Sequence, residues 1–150
     1  MRRILVAVGC DRYDQLSELR GAEHDARAMH DQLAGTHGDY DANISCLMLS
    51  PTVEAIVSTL SGLPFGTGDI QTLTFFFAGH GGEKSGTYYL CARDTDPNRL
   101  STTGLALNRL LSVITELRPL QANVIVDACQ SGGAMLDTAA LLRADALGTL

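Results

Sequence analysis

Three phenylalanines, Phe75, Phe76 and Phe77, stand side by side in the run 72–78. Successive residues of a strand face opposite ways, so this run carries large apolar side chains on both faces and needs cover on both. Residues 4–9, rich in Ile, Leu and Val, and residues 123–127 read as strands of the same buried kind, and 43–49 as a further strand. Helical spacing fills the intervals. Ala22, Ala26, Met29 and Leu33 recur within 21–33, where Gly35 closes the pattern. Ser50-Pro51-Thr52 starts a second helix reaching about Leu60, and Leu107, Leu110, Leu111 and Ile114 mark a third over 104–117, stopped by Pro119. Residues 87–91 suit a short hairpin strand, and 94–103 read as loop. Strands alternating with helices imply an α/β fold, a three-layer α/β/α sandwich around a mostly parallel sheet with right-handed crossovers.

Composition narrows the function. The 150 residues suffice for one domain with its own core, and 45% of them are hydrophobic. A net charge of −6, with Lys and Arg scattered, provides no basic field for a phosphate backbone, so no nucleic-acid partner is expected. No segment approaches the roughly 20 apolar residues of a membrane helix. Arg2 and Arg3 precede an apolar run in the manner of a leader peptide, but the run is short and ends in Cys10-Asp11-Arg12, which suits a buried first strand. A cytoplasmic location is the expectation. None of the four cysteines is in CxxC spacing, and His24, His30 and His37 are not at i, i+4, so neither metal nor other cofactor is expected. The acidic run Asp94-Thr95-Asp96-Pro97-Asn98 lacks the ligand pattern of an EF-hand, which leaves calcium activation without a motif.

Two of the strands run into glycine-rich segments, Gly79-His80-Gly81-Gly82 and Ala128-Cys129-Gln130-Ser131-Gly132-Gly133. In parallel sheets, sites form beyond the carboxyl ends of the strands. A lone cysteine is more often a small buried hydrophobe than a nucleophile, and Cys10, Cys46 and Cys91 are read so. Cys129 differs, because a thiol attacks a carbonyl only as thiolate and needs an imidazole to take its proton. Adjacent parallel strands would supply one from His80. The glycines are expected to leave His80 little covered in a shared cleft, and to let backbone N–H groups near Gly81 and Cys129 hold an oxyanion.

The segments Phe76-Phe77-Ala78-Gly79-His80-Gly81 and Val126-Asp127-Ala128-Cys129-Gln130-Ser131-Gly132, whose His and Cys lie 49 positions apart, resemble the His and Cys boxes of the caspase and metacaspase superfamily. Asp127, two residues before the cysteine, is similar to the metacaspase form of the box. Leu19-Arg20-Gly21-Ala22-Glu23-His24-Asp25-Ala26 resembles the family's first helix. The resemblance implies a cysteine endopeptidase acting on protein or peptide substrates after Arg or Lys, with Asp25 and Asp127 lining the pocket for that cationic side chain. Read without it, Asp25 is a solvated helix residue and Asp127 a strand-end turn former. Ala78 stands where the family often has a serine, so no hydroxyl is expected there. The likeness covers about residues 1–135, the family's large-subunit region, and implies that a C-terminal small subunit, or further domains of the same precursor, completes the enzyme; Arg143 is a basic position where a precursor could be cut. Two other readings are compatible with the residues: a peptidase of the separase or CHAT type, which shares the Gly-His-Gly and Ala-Cys-x-Ser-Gly boxes, and a catalytically silent interaction module on the same fold.

Overall fold

Alternation along the apolar runs divides the interior into two cores, one on each side of a single sheet. The computed structural model describes residues 2–63 and 68–130, with only the backbone of residues 129 and 130. The chain order is β1 (Arg2–Gly9), α1 (Ala22–Ala34), β2 (Cys46–Leu49), α2 (Val53–Ser61), β3 (Ile70–Lys84), β4 (Thr87–Leu90), α3 (Leu100–Thr103), β5 (Leu105–Ala106), α4 (Leu107–Glu116) and β6 (Gln121–Gln130). β2, β1, β3 and β6 lie side by side and parallel. β4 and β5 continue antiparallel from the far end of β3, so the sheet is mixed.

On one face, Ile4, Val6 and Val8 of β1 join Leu73, Phe75 and Phe77 of β3 against Ile56 and Leu60 of α2 and Leu110 and Ile114 of α4. On the other, Leu5, Ala7, Phe76 and Ala78 pack against Ala22 and Ala26 of α1. The three consecutive phenylalanines therefore serve both cores, and the three layers follow. α1 presents alanines because it lies close to the sheet: a Cβ on Gly9 would stand 2.8 Å from both the Ala26 Cβ and the Glu23 Cα.

Several bounds differ from the sequence expectation, each for a local reason. β3 runs on through the glycine-rich 79–82, and β6 through Cys129, because both gain partners there. β4 folds back across Gly81–Lys84, joined through Ser85 and Gly86 at φ 54° and 81°, the backbone of a two-residue hairpin turn. Ladder pairing outweighs the poor strand propensity of glycine. β2 starts at Cys46 because the Asp41 carboxylate accepts the N–H of Asn43 and Ile44 at 2.9 and 3.2 Å, holding that stretch as a turn. The expected loop after β4 contains a 3₁₀ turn, Pro97–Arg99, capped by Asp96, followed by α3. β5 takes the first residues of the helix expected from Gly104, and α4 begins at Leu107. Among the described residues no helix is long and apolar enough to cross a membrane.

Because the atoms that a Cβ at position 9 would meet include α1 backbone, Gly9→Ala should displace the helix and cost about 1–3 kcal/mol. Urea unfolding should show an earlier midpoint with an unchanged slope.

Candidate active site

β3 and β6 pair in parallel with His80 opposite Cys129 and Ala78 opposite Asp127. Paired positions share a pleat face, here the face that also carries Phe76 and Ala78 under α1. The backbone thus sets the two residues singled out by sequence on neighbouring strands, about 4.8 Å apart in the pairing direction. The side chain of Cys129, and all of Ser131, Gly132, Gly133 and Arg143, lie outside the described residues.

His80 corrects one expectation: it is not a bare loop side chain but 6% exposed within a strand. Its cover is the segment after β1. The Tyr13 ring lies 4.8 Å from the imidazole at 57°, and the Tyr13 hydroxyl oxygen accepts the His80 N–H at 2.9 Å. Nε2 stands 2.8 Å from the Ser17 carbonyl oxygen. A carbonyl can only accept, so Nε2 carries the proton in the neutral ring and Nδ1 holds the lone pair. Nδ1 is buried and has no hydrogen-bond partner among the described residues. Such a ring can take a proton only at Nδ1.

The flanking glycines make this cover possible. A Cβ at Gly79 would lie 2.6 Å from the Tyr13 hydroxyl oxygen, and one at Gly81 would collide with the Tyr88 hydroxyl. Gly81 itself lies at the last β3–β6 pair, opposite Gln130 and beside β4.

The covering segment is pinned at several points that the sequence did not signal. Gly21 has no side chain with which to cap α1, and the Asp11 carboxylate does so instead, accepting Ala22 N–H at 2.8 Å and Glu23 N–H at 3.2 Å. The buried Ser50 hydroxyl accepts the N–H of Asp11 and Arg12 at 3.2 and 3.1 Å and donates to the Glu23 carboxylate at 2.6 Å. Ser50 sits at φ 47°, a left-handed conformation that aims it into this junction between β2, α1 and the segment. Asp14 N–H donates to the Arg93 carbonyl at 2.9 Å, tying the segment to the chain beyond β4.

Asp25 and Asp127 line one cavity of about 210 Å³, with Leu19, Arg20, Gly21, Ala22, Ala78 and Gly79 completing its wall. Asp25 and Asp127, paired in the sequence only by the family resemblance, thus both line this cavity, with Ala78 as an apolar wall and Arg20 beside them. Asp94 and Asp96 of the acidic run 94–98 accept backbone N–H from Val53 at 3.1 Å and Asn98 at 2.9 Å.

A model of the caspase domain family matches residues 2–145. Among solved structures, protein GSU0716 from Geobacter sulfurreducens superposes with a TM-score of 0.66 at 18% identity, over 89% of this chain and 52% of that one. The chain spans about half the length of that protein, and the likeness is one of fold. No curated protein matches.

The remaining described thiols are poor nucleophiles. Burial pushes both Cys10 and Cys91 up from 9.0 to about 11, and raises Cys46 as well. At pH 7.5 iodoacetamide should leave Cys10 and Cys91 of the native protein unmodified and reach them only in urea, as read by peptide mass mapping. Because the folded thiols hold their protons more tightly than the unfolded ones, the stability they contribute is full below about pH 9 and is lost as pH rises through about 11.

Proposed function

The chain belongs to the caspase domain family, and on that premise we propose that it is a cysteine endopeptidase of the metacaspase type, cleaving after Arg or Lys. The observation that carries this reading is the β3–β6 register, which sets His80 opposite Cys129 one pleat repeat, about 7 Å, beyond the pair Ala78 and Asp127. A nucleophile, a base and an acidic cavity then follow one another along a single face of the sheet.

In this reading the Cys129 thiol gives its proton to His80 Nδ1, and the thiolate attacks the scissile carbonyl. Backbone N–H groups near Gly81 and Cys129 hold the oxyanion. As the tetrahedral intermediate collapses, the C–N bond breaks and Nδ1–H protonates the departing amine, leaving a thioester on Cys129. Water, deprotonated by the same Nδ1, then releases the acid and restores the thiol. The Ser17 carbonyl holds Nε2–H throughout, so the ring does not turn while Nδ1 gains and loses the proton. Asp25 and Asp127 receive the substrate's guanidinium or ammonium, and no cofactor takes part.

Among the described residues β6 pairs with β3 alone, and a strand from a C-terminal small subunit, or from further domains of the same precursor, would extend the sheet at its other edge. Three thiols that remain free among the described cysteines suit a reducing, cytoplasmic setting.

A fluorogenic peptide library varied at P1 tests the assignment, using the chain alone and with the region encoded downstream. Cleavage should follow Arg or Lys and fall more than about 1000-fold in Cys129→Ala and in His80→Ala. Asp127→Asn and Asp25→Asn should each lower kcat/KM for basic P1 residues by about 10- to 100-fold, the loss of a charge-assisted hydrogen bond in a small cavity. Cleavage that survives Cys129→Ala would rule out this nucleophile; a preference for acidic or apolar P1 would rule out the carboxylate pocket.

A further inference from the structure

β3 has two successive neighbours along one edge, and they do not meet. β1 pairs as far as Gly9 opposite Ala78, and the Cys10 N–H still reaches the Ala78 carbonyl at 2.9 Å. β4 pairs from Leu90 opposite Gly81, and the Cys91 N–H reaches the His80 carbonyl at 2.9 Å. Between the two ends, the N–H of His80 has no ladder partner, and a buried N–H without one is costly. The Tyr13 hydroxyl oxygen occupies that place, 2.9 Å from the His80 nitrogen, in space that Gly79 leaves by having no Cβ. The same tyrosine lays its ring against the imidazole.

Tyr13 lies only four positions before Ser17, whose carbonyl oxygen holds Nε2. Fixing one end of this short stretch to the His80 backbone decides where its other end meets the ring. We propose that Tyr13 is a positioning residue for the His80 base: its hydroxyl, standing in for the missing strand at residue 80, registers the covering segment so that the Ser17 carbonyl selects the Nε2–H tautomer and leaves Nδ1 open. This deepens the peptidase reading and rests on His80 being its base. Burial holds the phenol well above its usual range, so Tyr13 stays neutral and keeps its hydroxyl across the working pH.

Two substitutions remove the same hydrogen bond from opposite sides. Tyr13→Phe deletes the hydroxyl and keeps the ring; Gly79→Ala places a Cβ 2.6 Å from where the hydroxyl oxygen sits. With imidazole-labelled full chain, ¹⁵N spectra of wild type at alkaline pH should show Nε2 protonated and Nδ1 not, and both variants should show averaged shifts of mixed tautomers. Peptide cleavage by Tyr13→Phe should lose about 5- to 30-fold in kcat with KM held within about twofold, and the acidic limb of its kcat profile should move; Gly79 also lines the acidic cavity, so Gly79→Ala is read by its ring-nitrogen spectrum. Thermal denaturation identifies a folded variant, and should Gly79→Ala fail to fold, Tyr13→Phe decides alone. Folded variants that keep the wild-type ring-nitrogen signature and pH profile overturn the proposal, even where stability falls. A wild type without peptidase activity sinks the peptidase reading instead, while the nitrogen spectra still decide whether Tyr13 sets the tautomer.

Discussion

The parallel register between β3 and β6 is the constraint on which the site depends. A slip of one residue would turn position 129 to the face opposite position 80 and at the same time carry Val124 and Val126 out of the core beneath α2 and α4. Hydrophobic burial along the first two-thirds of each strand therefore fixes the meeting of His and Cys at their ends. The core residues Phe75 and Phe77 hold the register; the residues proposed to carry chemistry follow from it without needing to hold anything together. This division lets the strand ends be glycine-rich, where packing would otherwise favour β-branched side chains.

A second constraint acts through the segment after β1. It leaves the sheet at Cys10, covers His80 with Tyr13 and Ser17, and ends at the start of α1. Asp11 and Ser50 close this path into a small network with Glu23, so the helix that carries Asp25 and the segment that holds the imidazole share the same anchors. Displacing α1 would disturb both the acidic cavity and the orientation of His80. The coupling is short-range and built of hydrogen bonds to backbone, which tolerate little distortion before they are lost.

Much of this was legible in the sequence, and the limits are physical. Side-chain period and run length identified the strands of the parallel core and the helices around them, because those elements are built from burial that repeats along the chain. Asp25 and Asp127 were paired by resemblance and do line one cavity, but their spacing alone offered only a solvated helix residue and a strand-end acid. The extensions of β3 and β6 were not legible, since glycine has no strand propensity of its own and β4 supplies the reason from elsewhere. The cover on His80 was hidden for a related cause: glycines beside a histidine suggest open space in the sequence, but in the fold they are the space that Tyr13 and Tyr88 fill. Asp11 caps a helix that begins eleven positions later, beyond the reach of any local capping pattern. A clue was present, though, in Gly21: a helix start without a side-chain cap needs its N–H groups satisfied by something distant.

Of the four cysteines in the chain, geometry discriminates among them on different grounds. Cys10 and Cys91 lie close to Tyr13 beneath the site, where burial keeps the thiols protonated, and Cys46 donates to its local Ile44 carbonyl at 3.3 Å. None of these three has an imidazole acceptor assigned to it by the register. Position 129 alone stands opposite one, and the lone pair that the Ser17 carbonyl leaves on His80 Nδ1 is a buried polar atom that nothing among the described residues satisfies. In the proposed reading that lone pair is the acceptor for the Cys129 proton, a role open to it whether or not the carboxylates of the neighbouring cavity set the specificity.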